Sequence, residues 1–178
     1  WACDFFSVSS LFLKQIHVFF MINIQTRAIE MVSLSANPTE EWLKNKLRSY
    51  FAFANEAPDI LICDRARIFS IEIRHFLKEQ LRIGVRQTPP YCPQLNAYAE
   101  RMVRTFREEL TDQILFYSER DLKRSLDEYI KYYNERRVHS GIDFQTPRSP
   151  PKQEQHPRGP VVRQLILNGL ITDFRIAA

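Results

Sequence analysis

With 178 residues, 44% hydrophobic and 26% charged, the chain has apolar material for one sizeable core and not comfortably for two, so one domain with an appendage is expected. Its 25 Lys and Arg against 21 Asp and Glu, with a pI near 9.1, permit a polyanionic partner without requiring one. Cys3, Cys63 and Cys92 are too scattered for a disulfide framework or a CxxC zinc pair, which points to a reducing, cytoplasmic setting. The apolar opening is broken by Asp4, Lys14 and His17 well short of a membrane span, and it lacks the basic start of a signal peptide. Because the chain opens at Trp1 inside a strand-like run, a further segment is expected upstream.

Trp1 to Ser9, Gln15 to Ile24 and Ala28 to Leu34 are rich in Phe, Val and Ile, and their short polar breaks predict an antiparallel meander. Asn37-Pro38-Thr39 opens a helix from about Glu40 to Ala54, with Trp42, Leu43, Leu47, Tyr50 and Phe51 at helical spacing. A buried strand, Asp59 to Cys63, is followed by a helix over Phe69 to Gln80 and a short strand at Ile83 to Arg86. After the loop Thr88 to Pro93, Pro93 suits the first turn of a helix reaching about Phe116. Ser118 with Asp121 caps a last long helix whose stripe is Leu122, Leu126, Tyr129, Ile130 and Tyr133. The expected division is a core over 1–147, a proline-rich linker over 148–160, and a hairpin tail over 161–178 turning at Asn168-Gly169. A lone hairpin is marginal in water, so it should dock on the core or on a partner.

Three acids sit among residues that would otherwise be core. Asp4 lies between Cys3 and Phe5-Phe6, Asp64 ends the run Ile60-Leu61-Ile62-Cys63, and Glu100 falls in Asn96-Ala97-Tyr98-Ala99-Glu100-Arg101. A half-buried carboxylate is costly unless a cation or hydrogen-bond donors compensate it. For any one of them, capping a turn or pairing with an arginine is the more ordinary explanation. Asp64 and Glu100, however, are separated by 35 intervening residues, and the three together form a pattern.

On these residues the chain resembles the integrase core of retroviral integrases and bacterial insertion-sequence transposases. Their motif is an Asp on the first strand, an Asp on the fourth, and a Glu about 35 residues further on a helix. The resemblance extends to Trp1-Ala2-Cys3-Asp4-Phe5, Thr26-Arg27, Ala36-Asn37-Pro38-Thr39, Arg104-Thr105, Arg107-Glu108-Glu109, Tyr133-Asn134 with Arg137 and His139, and Thr146-Pro147. It implies an α/β, RNase H-like fold, a five-stranded mixed sheet flanked by helices. It implies DNA cleavage and strand transfer, with Asp4, Asp64 and Glu100 as catalytic, metal-holding acids. Asp4 would bridge two Mg²⁺ or Mn²⁺ ions, and Asp64 and Glu100 would hold one each. The implied partners are mobile-element ends, target DNA and further copies of the chain, with no membrane.

The chemistry accounts for the residue types. Phosphodiester cleavage needs an activated nucleophile and neutralised phosphoryl oxygens, and two hard divalent ions held by carboxylates can do both. For two ions to be shared, the carboxyl groups must converge within about 8 Å, which places Asp4 and Asp64 on neighbouring strands and one sheet face. Asn96, Arg104 and Arg107 share a helix face with Glu100, and Gln94 and Tyr98 flank it, so these five are candidate DNA contacts. Lys131 and Arg137 are further candidates, within a positive strip that includes Lys123, Arg124 and Arg136; a merely solvated face explains that strip equally well. The loop Asp64-Arg65-Ala66-Arg67-Ile68-Phe69 departs from the family's Asp-x-Gly or Asp-x-Asp followed by a polar pair. Ala66 lacks the freedom of glycine, which predicts a shifted loop. A catalytically decayed DNA-binding or assembly module of the same fold is the alternative reading, and a nuclease without strand transfer is a third.

Overall fold

The computed structural model describes residues 1–89, 96–148 and 159–176. Strands β1 (Ala2–Ser9), β2 (Gln15–Ile22) and β3 (Ile29–Ser35) form the antiparallel meander. Helix α1 (Glu40–Phe51), β4 (Ile60–Cys63), α2 (Ile71–Gln80) and β5 (Gly84–Gln87) follow. Both later strands run parallel to β1, giving a five-stranded mixed sheet in the order β3-β2-β1-β4-β5. This is the fold expected of the sequence. Side chains alternate across the pleat, so each central strand serves two cores. Cys3, Phe19, Met21, Leu61 and Cys63 pack with α1 and α2; Ala2, Phe6, Val18 and Phe20 pack with α3 (Ala97–Phe106) and α4 (Glu119–Glu135).

The helix starts follow from side-chain caps. The hydroxyls of Thr39, Ser70 and Ser118 accept from the backbone N–H of Trp42, Ile73 and Asp121, each satisfying a donor that the first helical turn leaves unpaired. β2 stops at Ile22, short of the expected Ile24, because the Asn23 side chain accepts from the N–H groups of Gln25 and Thr26 and bends the chain. That turn holds Arg27 at a φ of 67°.

The largest departure from the sequence reading is the helix expected from Pro93 to Phe116. Pro93 lies outside the described residues, α3 starts at Ala97 and stops at Phe106, and Arg107–Thr111 forms a π turn. The Asp112 N–H donates to the Arg107 carbonyl at 3.0 Å, a span of five residues. The wider turn inserts a residue into the helical repeat, keeps Leu110 buried, and presents Glu109 to α4. Apolar spacing alone does not reveal such an insertion.

Beyond the core, β6 (Val161–Ile166) and β7 (Ile171–Ile176) form a hairpin around a 3₁₀ turn in which Leu167, Asn168 and Gly169 have φ of 54°, 54° and 96°. Ile166 and Leu167 bury against the α3 and α4 cluster, and the Leu167 N–H donates to Glu128 Oε1 at 2.6 Å. Among the described residues no helix is long and apolar enough to cross a membrane.

Candidate active site

Ala2 stands opposite Ile62 in the parallel pairing of β1 with β4, so the same register two residues further on brings Asp4 beside Asp64. Ala2 and Ile62 pack toward α3 and α4, whereas Cys3 and Cys63 pack toward α1 and α2. By strand alternation Asp4 and Asp64 share the face of Ala2 and Ile62, the face that α3 covers. Both thiols are buried, and burial pushes Cys63 up to about 12 and Cys3 in the same direction. They serve as small core residues.

Asp4 is half-buried, and its Oδ1 accepts from the Phe5 N–H at 2.7 Å. Burial raises its carboxyl from the ordinary 3.8 to about 6; the Phe5 N–H opposes the rise, and the negative charges of Asp64 and Glu100 add to it. Asp4 therefore feels both other acids. Asp64 Oδ1 accepts from the Ala66 N–H at 2.9 Å, and Arg65 Nε donates to the Thr88 carbonyl at 2.9 Å, which ties the loop after β4 to the end of β5. Ala66 is not among the residues with positive φ, and Ala66 and Ile68 pack against the α1 and α2 core. The loop is thus built without a left-handed residue at Ala66, in a turn that Asp64 itself closes.

Glu100 lies exposed in the first turn of α3. Asn96, just before that helix, is only 3% exposed and its Nδ2 donates to the Cys3 carbonyl at 3.2 Å. This corrects its assignment as a DNA contact: Asn96 is a positioning residue that pins the start of α3 to β1 beside Asp4, and its buried Oδ1 has no partner among the described residues. Among the described residues no three His, Cys, Asp or Glu side chains are gathered closely enough to hold a metal ion. The acids sense one another's charge without forming a closed cluster.

Gln94 lies outside the described residues. Tyr98 is 41% exposed and carries the Arg27 guanidinium 4.2 Å above its ring. Arg104, Arg107 and Lys131 are exposed. Arg137 is a second correction. Its Nη2 donates to Glu109 Oε1 at 2.6 Å, its Nε donates to both carboxylate oxygens, its Nη1 lies 3.0 Å from His139 Nδ1, and Tyr129 Oη donates to Glu109 Oε2 at 2.7 Å. Those donors lock the π turn to the end of α4 and are not free for DNA. Three more cations of the strip are paired, Lys123 with Asp127, Arg124 with Asp121, and Arg136 with Asp173, whereas Lys131 makes no ion pair among the described residues. The Glu109 network was missed in the sequence because its members lie 20 and 28 positions apart, where no local spacing signals it.

An integrase core domain family model matches residues 81–147, a stretch that includes Glu100 but neither Asp4 nor Asp64. Among solved structures, a chain of the simian T-cell lymphotropic virus intasome in complex with PP2A regulatory subunit B56 gamma is 16% identical with a TM-score of 0.65, the match covering 98% of this chain and 65% of that one. The HTLV-2 integrase catalytic core domain in complex with magnesium is 15% identical with a TM-score of 0.62, covering 83% of this chain and 91% of that one. The fold is that of an integrase catalytic core. The Mos1 transposase catalytic domain, solved with raltegravir and Mg, carries it too, at 15% identity and a TM-score of 0.61 over 72% of this chain and 69% of that one. This chain thus spans about two thirds of the length of the intasome chain it matches. No curated protein matches it in sequence.

Proposed function

We propose that this integrase-like core cleaves and joins DNA, with Asp4, Asp64 and Glu100 as its catalytic, metal-holding acids. The observation that supports the reading is the pairing of β1 with β4 at Ala2 and Ile62, two residues before Asp4 and Asp64, together with the charge of Asp64 and Glu100 felt at Asp4. The donor set is all carboxylate oxygen, as Mg²⁺ or Mn²⁺ prefers, and the charge repulsion felt at Asp4 is what a cation between these acids would relieve. Asp4, Asp64 and Glu100 would hold two such ions. Bound there, the ions would neutralise the phosphoryl oxygens and activate the attacking oxygen.

The protein's own groups supply the rest. Asn96 fixes the start of α3 against β1, so that Glu100 stands over the strand bearing Asp4. Arg104 and Arg107 continue the Glu100 stripe and would meet backbone phosphates, positioning DNA without reading its sequence. Hydrolysis would break a phosphodiester and free a 3′-hydroxyl; that hydroxyl would then attack a target phosphorus, forming the new P–O bond as the target strand's own 3′-oxygen leaves with a proton. The intasome and the trimeric magnesium-bound core among the structural matches support a homo-oligomer acting on DNA ends and target.

The test supplies labelled duplex ends, a plasmid target and Mg²⁺ or Mn²⁺. A joined product is expected. Cleavage without joining would make the chain a nuclease, and neither product would make it an inert module of this fold.

A further inference from the structure

The flank of α3 turned away from Glu100 closes a pocket of about 430 Å³ against the end of α4, the Ser140–Ile142 turn and the β2–β3 turn. Arg27, Tyr98, Arg101, Thr105, Arg137 and Ser140 contribute to its walls, and no carboxylate among the described residues lines it. Of its three guanidinium groups, only that of Arg137 is neutralised, by Glu109. Arg27 and Arg101 make no ion pair among the described residues.

Arg27 is held in place. Its backbone N–H donates to the Asn23 carbonyl at 2.8 Å, and its guanidinium stacks on Tyr98. Stacking occupies the face of the guanidinium and leaves its in-plane N–H donors free, the fork that matches phosphate oxygens. A half-buried guanidinium without a counter-charge is a standing cost that an anion would remove.

The helix sets the direction of approach. Tyr98, Arg101 and Thr105 form one stripe, about a third of a turn from the stripe of Glu100, Arg104 and Arg107, and Arg101 and Arg104 meet across the exposed ridge between them. A strand leaving Glu100 over that ridge reaches the pocket after roughly 10–12 Å, the width of a helix.

We infer that this pocket is a phosphate subsite for the DNA strand, in which Arg27 and Arg101 hold a backbone phosphate across the α3 ridge from Glu100. The inference rests on the DNA-processing reading, but it is tested by binding in chelator, where no cleavage is needed.

The experiment titrates the full chain with a short duplex bearing a single-stranded 3′ tail, over a range of salt. The Arg27→Ala/Arg101→Ala variant should bind at least tenfold more weakly at low salt. Its slope of log affinity against log salt should shrink by about 0.7–0.9, the share of the one phosphate that the two arginines hold. Arg101→Ala alone, at an exposed position, should lose a measurable part of that slope even if the double variant folds poorly. Lys44→Ala/Lys46→Ala on α1 should bind within twofold of the unaltered chain. Unchanged slope and affinity in Arg101→Ala, or in a double variant that melts like the unaltered chain, would overturn the subsite. Inorganic phosphate serves as the second probe. A phosphate-induced rise in melting temperature that the double variant loses, without any change in its DNA binding, would overturn the assignment to DNA. Weakened DNA binding by a chain that never cleaves would leave the subsite standing and remove the enzyme reading.

Discussion

Asn134 on α4 makes both backbone hydrogen bonds that Ile29 offers at the outer edge of the sheet, donating to its carbonyl at 2.8 Å and accepting its N–H at 2.9 Å across 105 positions of sequence. β3 is an edge strand, so these groups would otherwise be buried without partners. Asn134→Ala should therefore destabilise the chain by about 2–4 kcal/mol, since two buried backbone groups lose their partners together. Urea unfolding measures it, and a loss below about 0.5 kcal/mol would show that water replaces the amide at no cost.

The ion pair between Arg137 and Glu109 should behave unlike the pairs along α4. Both members are partly buried and share Tyr129, whereas Lys123 and Asp127 lie open to solvent. Arg137→Ala should cost about 2–3 kcal/mol, by leaving a half-buried carboxylate under-compensated, and Lys123→Ala less than about 0.5 kcal/mol. Equal effects in a denaturant comparison would refute the structural role given to Arg137.

Ala66→Gly tests the loop that follows Asp64. Ala66 does not use the left-handed region, so glycine relieves nothing and only enlarges the freedom of the unfolded chain. The variant should be about 0.5–1 kcal/mol less stable and no more active than the unaltered chain. A clear rise in metal-dependent cleavage would restore the view that alanine impairs the loop.

Asp4 gives the pH dependence its sign. Its carboxyl is raised from 3.8 to about 6 in the folded chain, chiefly by burial, so the folded state holds the proton more tightly than the unfolded state does. In chelator its contribution is most favourable below the unfolded value. Stability is lost as pH climbs from about 4 to about 6, and above that window the buried charge is a constant penalty. Asp4→Asn should flatten that decline and stabilise the metal-free chain at pH 7.5 by on the order of 1–3 kcal/mol. Parallel melts at pH 4 and pH 7.5 read it; an equal loss of stability with rising pH in both chains would mean that Asp4 is not the group responsible.

The strands and most helices were legible because alternation and helical spacing report burial directly, and because Thr39 and Ser118 open their helices where expected; Ser70 caps a helix that was expected to begin at Phe69. The adjacency of Asp4 and Asp64 was legible only through family resemblance, since periodicity assigns faces and not strand order. What escaped were effects of tertiary contact. The π turn depends on Glu109 finding α4, Asn96 turned inward to a carbonyl that no spacing names, and Arg27 reached Tyr98 across 71 positions. Charged residues on α4 looked like a DNA strip because sequence shows the cations and not the geometry of their partners.

The central claim is that Asp4 on β1 and Asp64 just past the end of β4 act with Glu100 as one metal-holding set. Its most direct measurement compares the Mn²⁺-dependent nicking rate of the unaltered chain with those of Asp4→Asn, Asp64→Asn and Glu100→Gln, each checked for an intact fold. The account predicts metal-dependent nicking that falls at least a hundredfold in each of the three variants. Nicking that survives in folded Asp4→Asn or Asp64→Asn, or that proceeds equally in chelator, would contradict it.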